Sequence, residues 1–203
     1  MDSLHENEYL TISAPSEGFF KDRGSKFLGF SYPFQDEEEL KEIINQLKKE
    51  HHSARHFCFA YRVNPTNITE RANDDGEPGH SAGTPILGQI QSKQLIDVLV
   101  VVVRYFGGQK LGVPGLINAY KLAAADALQN AQINKKELTG SVKIEFEYAD
   151  LHEVMRVIKK VEPRILKQNM HLRVQMKLSI RLDKIDVLKT QLLLVKSLTF
   201  IDL

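Results

Sequence analysis

The most regular hydrophobic pattern in the chain lies in residues 96–128. Residues 98–103 are all valine or leucine, and with Ile96 they form an apolar run that only Asp97 interrupts. A β-branched run of this kind is typical of a strand covered on both faces. The residues that follow at intervals of three and four predict the buried face of a helix. They are Leu116, Ala119, Tyr120, Ala123, Ala124, Ala127 and Leu128.

A second helical pattern occupies residues 36–49. Asp36 followed by Glu39 predicts a capping box, in which the Asp36 carboxylate accepts a hydrogen bond from the third amide of the helix. Short apolar or alternating runs predict strands at residues 9–14, 27–34 and 57–63. Thr84 and Pro85 predict the N-cap and first residue of another helix, because proline is favoured at the first helical position.

The C-terminal third has its own complete set of patterns. Alternation predicts strands at residues 142–146, 165–167, 172–182 and 199–201, with helices that Asp150 and Asp183 cap between them. The order β-α-β-β-α-β is that of a ferredoxin-like split βαβ fold. The polar stretch at residues 130–140 separates this set from the rest. We therefore predict an α+β protein with two domains, residues 1–133 and 138–203.

Two glycine-rich segments stand out from this scaffold, at residues 73–85 and 104–115. The second joins the central strand to the helix, so Lys110 and Gly112 lie beside a helix N-terminus, which favours anions. A nucleotide-hydrolysing phosphate loop is not expected, because Val113 and Pro114 replace its Lys and Ser or Thr. The alternative is a tight strand-to-helix turn without a ligand.

The first segment concentrates acidic residues. Asp74, Asp75 and Glu77 have the chemistry to bind Mg²⁺ or to act as a general base. Asp-Gly and Glu-Pro dipeptides also form turns, so a structural role is the other interpretation. His56 follows two earlier histidines but begins an alternating strand, and we predict neither a metal site nor a cofactor there.

Composition narrows the function classes further. The net charge is +1, and the single cysteine, Cys58, excludes an internal disulfide framework. No apolar run is long enough to span a bilayer, and the N-terminus lacks the apolar segment of a secretory signal, so we expect a cytoplasmic protein. From Leu138 onward the chain has 12 Lys and Arg residues and 8 Asp and Glu residues. The part before Leu138 is acidic, with 15 Lys and Arg residues and 18 Asp and Glu residues. The mildly basic C-terminal part permits contact with RNA or phosphate.

Several strings in the two glycine-rich segments resemble motifs of the IMPACT/YigZ family. Ser25-Lys26-Phe27 and Ala54-Arg55-His56 are similar to the family's upstream motifs. The most specific strings are Asp74-Asp75-Gly76-Glu77-Pro78, Ala82-Gly83, Arg104-Tyr105-Phe106-Gly107-Gly108 and Lys110-Leu111-Gly112. Asn118 stands where the family usually has an arginine, which weakens the case for phosphate binding beside it.

The resemblance implies a fold and a cellular setting. It implies an N-terminal domain with the left-handed βαβ fold of a small-subunit ribosomal protein's second domain. It also implies a ferredoxin-like C-terminal domain similar to the last domain of elongation factor G. Both likenesses point to nucleic acid or the ribosome. Eukaryotic members act in translational control by binding the activator of an initiation-factor kinase through an extra N-terminal domain, which we do not expect this chain to share.

We interpret the chain as a non-enzymatic, translation-associated regulator that binds RNA, the ribosome or a translation factor. The alternative is a hydrolase or phosphotransfer enzyme that uses Asp74, Asp75, Glu77 and His56 with Mg²⁺. The sequence shows no identifiable nucleophile–base pair, so we predict no catalytic residue. The candidate ligand-binding residues are His56, Asp74, Asp75, Gly76, Glu77, Ser81, Gly83, Arg104, Tyr105, Gly107, Gly108, Lys110, Gly112 and Gly115.

Overall fold

The computed structural model describes residues 7–201, and these divide into two compact units. The first unit is Tyr9–Lys136; the second is residues 137–201 together with residues 7 and 8. Residues 1–6, on which the expectation of no secretory signal is based, lie outside the described chain. None of the helices within residues 7–201 combines the length and apolar character needed to cross a membrane.

The first unit is built on a five-stranded sheet with three helices. The elements in chain order are β1 (Glu8–Ile12), β2 (Ser16–Asp22), β3 (Ser25–Pro33), α1 (Glu37–Glu50), β4 (His56–Val63), β5 (Thr69–Asn73), α2 (Gly83–Ser92), β6 (Val98–Tyr105), α3 (Gly112–Gln129) and β7 (Ile133–Glu137). The sheet order is β2-β3-β6-β4-β5, and β1 pairs with β7 in a separate two-stranded sheet. Both β3 and β4 pair antiparallel with β6, so these two strands are parallel to each other and α1 connects them.

The central strand β6 is covered on both faces, as its unbroken apolar run predicts. Val98, Val100 and Val102 pack against α2 and α3. The intervening residues, Leu99, Val101 and Val103, pack towards α1. Successive side chains of a strand point to opposite faces, so this alternation also assigns the face of every residue at the end of β6.

Helix α3 buries the face that the sequence predicts, and all seven predicted residues are buried. The start of α1 differs in one detail, because the Asp36 carboxylate accepts from the Glu38 amide rather than the third amide. The predicted start of α2 is wrong. The helix begins at Gly83 with Ala82 as N-cap, so Thr84 lies inside the first turn.

The second unit is a four-stranded antiparallel sheet with two helices on one face. Its elements are β8 (Thr139–Glu147), α4 (Leu151–Val161), β9 (Arg164–Met170), β10 (Arg173–Arg181), α5 (Ile185–Leu192) and β11 (Thr199–Ile201). The strand order is β11-β8-β10-β9. Alternate residues of β10, from Val174 to Ile180, are buried with α4 and α5 in one core. The other face of the sheet carries no helix of this unit.

Two predicted caps in this unit are wrong. The Asp150 carboxylate accepts from the backbone and side chain of Ser197, at 3.1 and 2.5 Å, instead of capping α4. Asp183 forms an ion pair with Arg181 at 3.1 Å, and α5 begins after it at Ile185. In both places a nearby donor outside the helix competes for the carboxylate.

Candidate ligand-binding site

Three neighbouring strands place a row of side chains at one end of the first unit's sheet. Arg104 on β6 lies opposite Phe27 on β3 and opposite His56 on β4. Residues directly opposite each other share a face, here the face of Val102 that packs towards α3. Arg104 is only 6% exposed, and its guanidinium carbon lies 5.6 Å from the ring centres of both Phe27 and Phe106.

The buried guanidinium is neutralised by Glu77 from the acidic loop. Arg104 Nη1 lies 2.5 Å from Glu77 Oε1, and the Tyr120 hydroxyl donates to the same oxygen at 2.7 Å. His56 Nε2 lies 4.0 Å from that oxygen, so the four side chains form one cluster. The charge of Arg104, a ligand-binding candidate from the sequence, is therefore already paired inside the protein.

Asp74 closes the acidic loop on itself. Its carboxylate accepts hydrogen bonds from the amides of His80, Ala82 and Gly83, at 2.9, 3.0 and 2.8 Å. Burial alone would raise the pKa of Asp74, but the three amide donors outweigh it, and the pKa is lowered. Asp74 thus serves the start of α2, the role that the sequence assigned to Thr84, and this helix start is already occupied by a carboxylate of the same chain.

Asp75 fastens the same loop to β4. Its carboxylate accepts from the Phe57 amide at 2.7 Å, and its carbonyl accepts from His56 Nδ1 at 2.9 Å. Its own φ is +41°, and Gly76 follows at +84°, a left-handed conformation that glycine adopts at low cost. Both carboxylates therefore accept from backbone amides rather than converging on a shared metal position.

Cys58 and Tyr120 belong to the cluster although neither was a candidate from the sequence. The Cys58 thiol has one proton to donate and two acceptors within reach, the Asp74 carbonyl at 3.0 Å and the Tyr120 hydroxyl at 3.3 Å. Burial raises the pKa of both groups, so the thiol is kept protonated and is a poor nucleophile. One signal was present in the sequence: a tyrosine on a buried helix face needs a hydrogen-bond partner for its hydroxyl.

The remaining candidates divide between structural positions and open surface. The Ser81 hydroxyl donates to the Pro78 carbonyl at 2.6 Å. A Cβ on Gly83 would lie 2.5 Å from the Asn73 amide, and one on Gly107 would lie 1.9 Å from the Gly24 carbonyl carbon. At both glycines another backbone segment, at Asn73 or Gly24, approaches too closely for a side chain to fit. Gly112 and Gly115 lie in the first turn of α3.

Tyr105 lies apart from the other candidates. It follows Arg104 on β6 and so faces α1, where its hydroxyl bonds to His51 Nδ1 at 2.8 Å. The structure therefore does not bring Tyr105 together with the acidic loop.

Phe106, the residue after β6, borders an open cavity on each face of the sheet. The cavity on the α3 side, about 360 Å³, is also lined by Lys110, Pro78 and Gly112. The cavity on the α1 side, about 530 Å³, is lined by Phe19 and Lys26 as well as by Tyr105 and His51. Lys110 and Lys26 are both exposed, and no carboxylate among residues 7–201 pairs with either.

No set of three or more His, Cys, Asp and Glu side chains in residues 7–201 is arranged to hold a metal ion. The arrangement instead consists of a buried cluster of paired charges and an exposed rim beside it. The rim is formed by Phe19, Lys26, Phe106 and Lys110 around Gly107 and Gly108. Asn118, in place of the family's usual arginine, is exposed on α3.

Comparison with known proteins identifies the family. The model of the Impact N-terminal domain matches residues 23–128. YvyE of Bacillus subtilis, an IMPACT family member, is 32% identical over 165 residues, which cover 81% of this chain and 75% of YvyE. An IMPACT family member of Haemophilus influenzae is 31% identical over 170 residues, covering 83% and 82%. A crystal structure of a hypothetical protein shares the fold, with a TM-score of 0.75 over 98% of both chains at 24% identity. The resemblance seen in the sequence is confirmed, and the chain belongs to the IMPACT family.

Proposed function

We propose that this protein is a cytoplasmic, non-enzymatic module of the translation apparatus that binds RNA, including ribosomal RNA, through the rim around Gly107 and Gly108. Family membership supports the setting, because the resemblance links eukaryotic members to translational control. The chemistry of the rim supports the ligand. The activator of the initiation-factor kinase is not proposed as a partner.

The exposure of Phe106 carries the proposal. Its side chain is 57% exposed, and Phe19 across the α1-side cavity is 49% exposed. Exposed aromatic rings beside cations are the usual means of holding single-stranded nucleic acid, because any base can stack on a ring while phosphates meet the charges. Lys26 and Lys110 supply those charges, one on each side of Phe106.

The acidic loop supports a binding module over the alternative enzyme. Both carboxylate oxygens of Asp74 and one of Asp75 accept from backbone amides, and Glu77 is paired with Arg104. A general base needs an oxygen or nitrogen within reach of a substrate proton. A panel of phosphoesters with and without Mg²⁺ tests the alternative, and turnover that disappears in Asp75→Ala with the fold intact would establish it.

The finer fold assignments are part of the same proposal. The order β8-α4-β9-β10-α5-β11 supports a ferredoxin-like second domain. The parallel strands β3 and β4, joined through α1 on either side of β6, supply the βαβ unit of the first domain. An experimental structure with a right-handed β3-α1-β4 crossover would contradict the left-handed assignment.

Fluorescence anisotropy with a labelled single-stranded RNA oligonucleotide tests the rim. Phe106→Ala should weaken binding by roughly 5- to 150-fold, since stacking of one base on an aromatic ring is worth about 1–3 kcal/mol. Lys110→Ala should lower the slope of log affinity against log salt by about 0.7, the value for one phosphate contact on a single strand. Lys41→Ala, on the exposed side of α1, is the matched control. Unchanged binding in Phe106→Ala would remove the rim from the RNA contact.

A further inference from the structure

Three lysines stand side by side across the helix-free face of the second unit's sheet. Lys177 on β10 lies opposite Lys143 on β8 and opposite Lys167 on β9. Neighbouring strands are about 4.8 Å apart and opposite residues project to the same face, so the charges form a row perpendicular to the strands. The row lines a depression of about 270 Å³ together with Asn169, Gln175 and Ile201. We call it the lysine row.

No carboxylate of residues 7–201 neutralises the lysine row. Among residues 7–201, none of the three lysines has an acidic side chain within 4.0 Å. Glu145, in the adjacent row of the same face, accepts from Arg173 Nε at 2.8 Å and from Gln175 Nε2 at 2.7 Å. On this sheet face Glu145 is thus paired with Arg173, and the lysine row beside it stays positive.

The requirements of folding do not explain the lysine row. Like charges directly opposite each other on a sheet are destabilising. Lysine on an edge strand prevents sheets from joining edge to edge, which accounts for Lys167 on β9. Lys143 and Lys177 lie on the two inner strands, where this reason does not apply. A bound anion would relieve the repulsion between these two residues.

We infer that the lysine row binds the phosphate backbone of single-stranded RNA. A linear set of unpaired point charges on an open face complements a flexible chain of phosphates. The polar neighbours Asn169 and Gln175 can donate to phosphate or sugar oxygens, and neither they nor Ile201 offers a ring for base stacking. Contact is thus with the backbone and carries no sequence preference. The inference rests on the proposed function for the identity of the polymer, and it adds a second RNA surface on the other unit.

The test uses the full-length chain with Lys143→Gln, Lys167→Gln and Lys177→Gln combined. Each phosphate contact to a single strand contributes about 0.7 to the salt slope, so the slope should fall by about 2. The matched control combines Lys159→Gln, Lys184→Gln and Lys189→Gln, which removes the same charge from exposed positions on the helical side. That control should retain most of the wild-type slope. A triple lysine-to-arginine variant of the row should bind as wild type does, because it keeps the charge.

A thermal melt separates binding from folding. The glutamine variant should melt at or above the wild-type temperature, because it removes the repulsion within the row. If the triple variant does not fold, Lys177→Gln alone decides, with an expected fall in slope of about 0.7. Equal slopes in the row variant and its control would overturn the inference, as would equally effective competition by a poly-glutamate peptide.

The lysine row and the rim around Phe106 can fail separately. Phe106→Ala should reduce affinity with little change in salt slope, whereas the row variant should chiefly reduce the slope. If Phe106→Ala weakens binding while the row variant binds as the wild type does, the lysine row is refuted and the proposed function stands. A wild-type chain that binds no RNA would refute both.

Discussion

The acidic loop of the first unit and the open sheet face of the second use their charges in opposite ways. In the loop, Glu77 pairs with Arg104, and Asp74 accepts three backbone amides. On the sheet face, the lysine row has no acidic partner among the described residues. The loop carries some of the strings that resemble family motifs, and the sheet face carries none. Charges that are paired therefore serve the fold, and unpaired charges mark where a partner is expected.

The largest effect should come from breaking the buried pair. Glu77→Ala leaves the Arg104 guanidinium and the Tyr120 hydroxyl without their acceptor, and we expect a loss of about 3–5 kcal/mol in unfolding free energy. Arg71→Gln is the control, since the Arg71–Glu37 pair is 3.7 Å apart and half-exposed, and such pairs contribute about 0–1 kcal/mol. Urea denaturation compares them. Equal losses would mean that the loop cluster is not structural and that Arg104 is available to a ligand.

Substitutions at the two glycines should separate packing from backbone conformation. Valine at Gly107 should cost about 3 kcal/mol or more, because its Cβ would overlap the Gly24 carbonyl. Valine at Gly108 should cost about 1–3 kcal/mol, because φ there is +85° although the space is open. Asparagine tolerates that φ, so it should restore most stability at Gly108 and little at Gly107. Equal melting temperatures for asparagine at both positions would contradict this assignment.

A smaller effect should appear as a pH dependence of the loop. The pKa of Asp74 is lowered from its ordinary value of 3.8, so the folded state binds fewer protons there than the unfolded state. The carboxylate's contribution is therefore complete above the ordinary value and is lost as the pH falls through the lowered one. Asp74→Asn should lower the free energy of unfolding by about 1 kcal/mol near neutral pH. It should also make the fall in stability at acidic pH less steep than in the wild type. If the stability of the wild type and of Asp74→Asn falls equally steeply with decreasing pH, the charge of Asp74 does not stabilise the loop.

The smallest effect should be that of the first unit on the second. A fragment of residues 138–203 has its own buried core and should unfold cooperatively, at the temperature of that unit in the full chain. Glu77→Ala should leave this transition unchanged. A molten fragment, or a transition that shifts with Glu77→Ala, would contradict independent folding.

Several elements could be predicted because their information is local. The valines of β6 and the buried face of α3 are periodic in the sequence, and each period has one geometric meaning. Strands β5 and β7 were missed because their residues, Thr-Glu-Arg-Ala-Asn and Ile-Asn-Lys-Lys-Glu, are mostly polar and exposed. Pairing with β4 and β1 makes them strands, and a partner in another part of the chain leaves no periodic pattern.

The sequence by itself determined the family, the central strand and the long helix. It also determined that glycine, acidic and cationic residues are concentrated in two loops. It could not assign partners, because Arg104 and Lys110 are equivalent cations until the pleat of β6 turns Arg104 inward to Glu77 and the turn leaves Lys110 outside. Nor could it show the lysine row, whose members lie on three strands and meet only through the order β8-β10-β9. Charge energies depend on distance and burial, and for residues far apart in the chain the tertiary structure alone decides both.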